Sequence, residues 1–495
     1  MTPMSSLISV LAPPGVLTYR NCPQPRRRAQ LTTVATQTRP ITPFSRRHPR
    51  ARTHGLFLLI LAAVVALNGG VMIWLWLHDG GLTSQLGSFS GVLTSAGRVT
   101  GLVGAYMALV QVLLLARLPP LERRVGLDRL TVWHRINGKL VIYLVVAHVV
   151  LITIGYAGTI HVGWLSEFSD FLSSYPGMIT ATIGTALMLA VVVSSLVIVR
   201  RRLPYEAWYG VHLSVYAGIY LAYLHQIPSG NEFVTSTVQG DWWLSLYVAT
   251  LALIVLYRVA LPVWRFFRLD LRVSGVAPAG PGATTITITG RRLESLGAVG
   301  GQFMIWRFLC RGLWWQSHPF SLSAAPDGQA LRITVKAVGG YTRKLRSLPL
   351  GTRVLAEGPF GRFVAEEHPH RPVTMIAGGI GVTPLRAMLE ELDGVDVTFI
   401  YRAVNDEDLV LRDEIEELAA RHGAQLHELV GDHTDARYAG LLSAQSLQAL
   451  APQIAASDVY LCGPLPMMHH TIESLEQLGV PRQRIHWESF AFAAR

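Results

Sequence analysis

Cysteine is scarce: Cys22, Cys310 and Cys462 are the only three in 495 residues. That excludes a disulfide-stapled scaffold and an all-cysteine zinc or iron–sulfur site within one chain. Charge is scarce too. Charged residues make up 15%, hydrophobic residues 50%, and mean hydropathy is +0.34. This balance argues against a disordered chain and against a purely soluble enzyme. Asp, Glu and Lys are missing altogether from residues 1–53, which hold nine arginines. That tail supplies +9 of the net charge of +11, so the basic balance is no signature of a nucleic-acid-binding surface. A basic, disordered tail ahead of an apolar run reads as a cytoplasmic membrane flank.

At roughly 100–200 residues per domain, this length implies two to four units. Six long apolar runs come first, at about 55–77, 99–116, 138–156, 177–199, 207–224 and 243–262. Each has roughly the 17–25 residues that a helix needs to cross a hydrocarbon core. The first is too long and too far from Met1 for a cleaved signal peptide. Lys and Arg are absent from three alternate loops, 78–94, 157–176 and 227–241. Arginine crowds the others, with Arg117, Arg123, Arg124, Arg129 and Arg135 in one and Arg200, Arg201 and Arg202 in the next. The positive-inside rule then expects both termini, and everything after Leu271, on the cytoplasmic side.

Ionisable residues inside apolar spans are costly and usually functional. Run three and its approach carry His134 and His148; run five carries His212 and His225. At about 1.5 Å rise per residue, the two members of each pair lie about 20 Å apart along their helix. Both runs travel outward, so His134 and His212 share one depth, and His148 and His225 another. Two axial histidines from facing helices can hold one haem iron with no open position, and four can hold two stacked haems. Histidines bonded to backbone, or ligands for metal ions, are the alternative. A step of 14 returns to within about 40° of the same helix face, but a step of 13 misses by about 140°. Run five therefore calls for a bend, at Gly218, or for a second haem approached from another azimuth. Arg98, at the outer start of run two, suits either a snorkelling end residue or the partner of an outer-haem propionate.

Composition changes near residue 270. Short alternating runs at 285–289, 303–308, 331–337 and 353–356 read as a small antiparallel β-barrel. From 366 the rhythm is strand and helix: strands at 373–377, 395–401 and 459–462, helices at 385–392, 413–421 and 467–478. That is a doubly wound α/β domain. Gly378-Gly379-Ile380-Gly381-Val382-Thr383-Pro384 follows a strand and opens a helix, where glycines let backbone approach a pyrophosphate. Arg402 follows the next strand, where a basic residue favours NADPH over NADH, unless it is a solvated surface arginine. His318-Pro319-Phe320-Ser321-Leu322-Ser323, with Gly339-Gly340-Tyr341-Thr342, offers an aromatic, hydroxyls and backbone N–H groups suited to a flavin.

Over residues 55–495 the sequence resembles the bacterial branch of the ferric reductase and NADPH oxidase superfamily. The histidine spacings, HPFSLS at 318–323, GGYT at 339–342, GPFG at 358–361, GGIGVTP at 378–384, CGPLPMM at 462–468 and Glu488-Ser489-Phe490 carry the resemblance. It implies a six-helix transmembrane haem domain at 54–264, an FAD-binding β-barrel at 270–365 and an NAD(P)-binding α/β domain at 366–495, in a bacterial inner membrane. His134 with His212 would ligate an inner b-type haem, and His148 with His225 an outer one. His318, Pro319, Phe320, Ser321, Gly340 and Thr342 would hold FAD. Gly378, Gly379, Gly381, Thr383, Gly463 and Pro464 would hold the dinucleotide. Cys462 would lie near the nicotinamide, and Phe490 would shield the flavin face. Where oxygen-reducing members often carry another histidine, one turn beyond His148, this chain has Ile152.

The expected activity is electron transfer from cytoplasmic NAD(P)H through FAD and two haems to an extracytoplasmic acceptor. Oxygen would give superoxide, and a ferric chelate would give Fe²⁺. Delivery of electrons to a partner protein is the alternative, and a soluble reductase with a mere helical anchor is another.

Overall fold

The computed structural model describes residues 51–78, 87–200, 202–203, 205–229, 237–365, 370–432, 435, 438 and 440–488. The arginine-rich tail and Phe490 lie outside these. The first part is helical: α1 (Ala51–His78), α2 (Phe89–Leu114), α3 (Pro119–Val125), α4 (Leu127–Ile160), α5 (Trp164–Ser174), α6 (Met178–Ser195), α7 (Val197–Arg200), α8 (Tyr205–Ser229), α9 (Thr237–Ile254) and α10 (Leu261–Leu269). A π-helical turn, Val255–Ala260, joins α9 to α10. Five helical stretches among the described residues are long and apolar enough to cross a membrane: Gly55–His78, Phe89–Leu114, Arg129–Ile160, Met178–Ser195 and Thr237–Leu269. The run expected at 207–224 is the 25-residue α8. Its tyrosines and two histidines dilute its hydropathy, and it is not among the five.

Small residues set how these helices pack. Run two begins at Phe89, ten residues earlier than expected, with the Ser88 hydroxyl accepting from Gly91 N at 3.0 Å. The early turns look like loop because they are rich in Ser, Thr and Gly, which serve close contact with α4. A Cβ on Gly97 would lie 2.8 Å from Ile152 Cγ1. Gly218 is not a bend. α8 is unbroken α-helix through it, and a Cβ there would lie 3.0 Å from Gly184 O on α6. The glycine is the crossing point of two backbones. The loop expected at 157–176 contains α5, which buries Phe171 and Glu167.

After Asp270 come two three-stranded antiparallel sheets. Their strands are β1 (Arg272–Pro278), β2 (Ala283–Thr289), β3 (Phe303–Phe308), β4 (His318–Ser321), β5 (Ala330–Lys336) and β6 (Val354–Phe360), in the orders β1-β2-β5 and β4-β3-β6. Single bridges, Leu322 to Ile333 and Arg272 to Arg353, link the sheets at both edges. Ile286, Ile288, Met304, Trp306, Phe308, Leu322 and Ile333 form the core between them. β1, with a register shift near Gly275 and a proline at its end, and the four-residue β4 with Pro319 gave no alternating pattern to read.

A parallel sheet follows, ordered β11-β10-β7-β8-β9. Its strands are β7 (Val373–Gly378), β8 (Val397–Ala403), β9 (Gln425–Val430), β10 (Asp458–Cys462) and β11 (Ile485–Glu488). The helices are α11 (Gly340–Lys344), which precedes the sheet, then α12 (Val382–Leu389), α13 (Arg412–His422), α14 (Ala444–Leu450) and α15 (Leu465–Gln477). Central β7 is buried along its whole length, as a strand covered on both faces must be. β9, at the sheet edge, is half-exposed and mixed in composition, so it escaped sequence reading. The chain winds outward from β7 to β9, then returns to β10 on the other side of β7. That reversal is the topological switch point of the sheet.

Candidate functional site

The histidines meet in the expected pairs. The ring centroids of His134 and His212 lie 6.1 Å apart, and those of His148 and His225 lie 6.4 Å apart. α2 runs along α4 and α6 runs along α8, with no comparable packing between α4 and α8. The imidazoles thus reach across an interval between two tight helix pairs. His134 Nδ1 is 3.1 Å from Gln111 O, and His148 Nδ1 is 2.8 Å from Gly97 O. Each bond to a carbonyl requires Nδ1 to carry the proton, which leaves the Nε2 lone pair for a ligand. Gln111 Nε2 also donates to His134 O at 2.8 Å, and Asn137 Nδ2 donates to Gln111 Oε1 at 3.0 Å. Sequence reading missed this polar clamp on the inner pair.

Two imidazoles that each meet a metal at about 2 Å place their ring centroids about 6 Å apart, so both pairs fit bis-histidine ligation. The outer pair opens on a cavity of about 1150 Å³, mouth included, lined by Arg98, Gly101, His148, Tyr156, His225 and Tyr247 among others. A Cβ on Gly101 would lie 2.5 Å from His148 Nδ1, so the ring's place depends on that glycine. Arg98 sits nine residues into α2, donates to Tyr156 OH at 3.1 Å and lines the cavity. With the helix starting at Phe89, Arg98 is not at the helix end.

On β4, the His318 ring lies 3.8 Å from Tyr341 and 6.3 Å from Phe320, centroid to centroid. Trp306 Nε1 donates to Phe320 O at 3.1 Å. Ser321 is buried and Pro319 is exposed. Thr342 Oγ1 accepts from Gly339 N at 3.0 Å, and a Cβ on Gly339 or Gly340 would meet nothing within 4 Å. An aromatic cluster beside open glycine backbone fits a flavin and its phosphates. Tyr341, to which the sequence assigned no role, has its hydroxyl buried without a partner among the described residues, and burial pushes its phenol above the ordinary range.

This site adjoins the membrane half. Arg117, just past α2, forms an ion pair with Glu357 on β6, and its guanidinium lies 6.0 Å from the Phe360 ring. Arg265 Nη1 donates to Gly358 O at 2.8 Å, and Arg362 Nη1 donates to Arg124 O at 3.2 Å. Burial, followed by the nearby Arg258, lowers Arg117 to about 9, and burial raises Glu122 to about 7.

The Gly-rich loops converge on the switch point. A Cβ on Gly378 would lie 2.5 Å from Met467 Sδ, and one on Gly463 would lie 3.1 Å from Gly378 Cα. Gly381 abuts the Cys462 carbonyl. Gly379 adopts φ +52 with open space around it. Thr383 is buried and donates to Ile380 O at 3.1 Å, and Pro464 caps α15. Cys462 is fully buried, which pushes its thiol well above its ordinary value. Arg402 is not the solvated arginine that one reading allowed. It is buried, and its guanidinium donates to the carbonyls of Ala403, Leu429 and Gly431.

Three family models match in succession: a ferric reductase-like transmembrane component over 100–223, an FAD-binding domain over 272–364 and an oxidoreductase NAD-binding domain over 375–473. The chain has the ferric reductase/NADPH oxidase-type architecture. The chain is 37% identical to a flavohemoprotein of Pseudomonas aeruginosa over 191 residues, 35% of this chain and 47% of that one. It is 35% identical to a stachydrine N-demethylase reductase subunit of Rhizobium meliloti over 184 residues, 34% of this chain and 52% of that one. The chain spans about half the length of the curated relatives it matches. The FAD/NAD-binding domain of a nitric oxide dioxygenase from Vibrio cholerae aligns with 45% of this chain and 99% of its own, at 25% identity and a TM-score of 0.38.

Proposed function

We propose that this chain transfers electrons from NAD(P)H on the cytoplasmic side of a bacterial inner membrane to an acceptor on the other side. The observation that carries the reading is the pair of imidazole–imidazole distances, 6.1 and 6.4 Å, in a chain that also matches FAD-binding and NAD-binding families. We take the domain limits as 54–264, 270–365 and 366–495, with α8 as a sixth span and the two small sheets as one barrel. When bound, FAD supplies the change from hydride to single-electron transfer, and two b-type haems supply the path across the membrane.

The chain's own residues bind and orient. His134 with His212, and His148 with His225, would hold the haems, with Gln111 O and Gly97 O fixing two of the four rings. Arg98 would face an outer propionate. The β4 segment His318–Ser321, with Gly340 and Thr342, would hold the flavin. Gly378, Gly379, Gly381, Thr383, Gly463 and Pro464 would shape the dinucleotide site, with Cys462 near the nicotinamide and Phe490 over the flavin. Arg402, committed to carbonyls, gives little support to NADPH over NADH. Oxygen and ferric chelates are both acceptor classes for this site. A relative named as a reductase subunit favours, as a second reading, electron delivery to a partner protein.

The test is anaerobic. The purified protein is mixed with NADPH, the haem bands are followed, and oxygen or a ferric chelate is then admitted. Haem reduction by NADPH supports the relay. Haems that dithionite reduces and NADPH does not would overturn it.

A further inference from the structure

The FAD-binding half carries an exposed apolar patch that neither candidate cofactor site uses. Between β3 and β4 the chain makes a tight turn. The amides of Leu313 and Trp314 both donate to Cys310 O at 3.1 Å, Gln316 N donates to Leu313 O at 3.1 Å, and Gly312 takes φ +81. Leu313 is buried in the sheet core, so the turn is pinned from inside. Its outer side presents Leu309, Trp314 and Trp315, which are 37%, 61% and 42% exposed. Scattered exposed apolar residues need no explanation, but two consecutive tryptophans on a pinned turn do.

The turn's position names the occupant. Leu309 N donates to Arg353 O at 2.9 Å. The Arg353 guanidinium lies 4.1 Å from the Phe266 ring and 5.9 Å from the Phe267 ring. Both phenylalanines end the last apolar span, Thr237–Leu269, where Trp264 and Phe267 are themselves exposed. At about 1.5 Å per residue that 33-residue span is about 50 Å long, against a hydrocarbon core of about 30 Å. Its final turns therefore belong to the headgroup layer, the depth at which tryptophan and tyrosine collect. The local charge matches. Arg311 is exposed in the turn, Lys344 Nζ lies 3.6 Å from where a Gly312 Cβ would be, and Arg268 stacks 4.7 Å from the Trp264 ring.

We propose that the turn at 309–316 is a membrane-interface anchor. It seats Trp314 and Trp315 among lipid headgroups beside the last span, with Arg311 and Lys344 facing anionic lipid phosphates. The inference rests on the membrane reading of the five apolar helices and on neither cofactor assignment. The anchor is two residues from His318, so it also sets the depth of the β4 segment relative to the bilayer.

The test uses the full chain in nanodiscs of phosphatidylcholine and phosphatidylglycerol, with and without lipids brominated just below the headgroup. The chain has 12 tryptophans; W314F/W315F removes two and keeps their apolar bulk. The wild-type-minus-variant fluorescence should be quenched about twofold or more by brominated lipid and reached poorly by aqueous acrylamide. A difference signal open to acrylamide and indifferent to brominated lipid overturns the proposal, and shows a face left to water or to a protein partner. A second variant, W314S/W315S, should retain flavin and raise hydrogen exchange of the 309–316 amides in nanodiscs about tenfold. Unchanged exchange overturns the proposal. So does flavin loss combined with no lipid quenching in the wild type, which would make the tryptophans a flavin cover.

Discussion

His148 and His225 face each other with ring centroids 6.4 Å apart, on α4 and α8, which lack the close packing of α2 on α4 or of α6 on α8. The distance is set from behind. α2 presents Gly97 O to the His148 ring at 2.8 Å and leaves room for it at Gly101. Gly101→Val would drive a side chain into the imidazole. We expect the variant to lose about half its haem per flavin, measured as pyridine haemochrome against FAD absorbance. Two haems per flavin in a folded Gly101→Val protein would remove the outer-ligand assignment.

The Arg117–Glu357 pair makes a second prediction. Both side chains are largely buried at the junction of the membrane and FAD-binding parts. Glu357→Gln strands a guanidinium there, at a cost of about 1–3 kcal/mol. Replacing both partners with methionine should cost less than either single change, because neither member of the pair is then left buried without the other. Thermal unfolding in nanodiscs for the two single variants and the double variant measures the coupling. Additive costs would mean that the pair contributes nothing as a pair.

How much of this was legible beforehand depends on how each element signals itself. Long apolar runs announce helices, and paired histidines within them announce a site. The 13-residue step from His212 to His225 implied either a bend at Gly218 or a second haem approached from another azimuth, because a step count treats side chains as fixed spokes. α8 instead stays helical, and Gly218 serves its contact with Gly184. β1, β4 and β9 lacked a period, being interrupted by proline, very short or at an edge. The Gln111–Asn137 clamp and the Tyr341–His318 contact are tertiary facts with no trace in spacing.

Glu391 supplies a pH prediction. Both its oxygens lie 2.9 Å from Gly300 N, so it ties the residues after α12 to the loop before β3. Burial raises its carboxyl to about 7. The folded protein therefore keeps a proton that the unfolded chain releases near pH 4.3. Stability from this group falls as pH rises from about 4.5 to about 7, then levels off. Glu391→Gln keeps an acceptor for Gly300 N and cannot titrate. Its unfolding temperature should lose that slope between pH 5 and 7, and a slope equal to the wild type's would show that Glu391 does not titrate there.

At the switch point, a Cβ on Gly463 would lie 3.1 Å from Gly378 Cα and one on Gly378 2.9 Å from Pro464 Cδ, so a side chain at either must push its neighbours aside. Gly463→Ala should raise the KM for NAD(P)H at least tenfold while FAD stays bound. An unchanged KM, measured with a soluble dye as acceptor, would move the dinucleotide elsewhere.

The last apolar span runs from Thr237 to Leu269 and yields to β1 through Asp270 and Leu271 alone, with Asp270 ion-paired to Arg272 and Arg353. There is no tether to cut. A reductase fragment trimmed at residue 270 would lose the aromatic rings on which Arg353 rests. Grafts between this chain and its relatives should therefore place their splice within that apolar span, upstream of Trp264, so that the rod and the sheet it carries move as one piece.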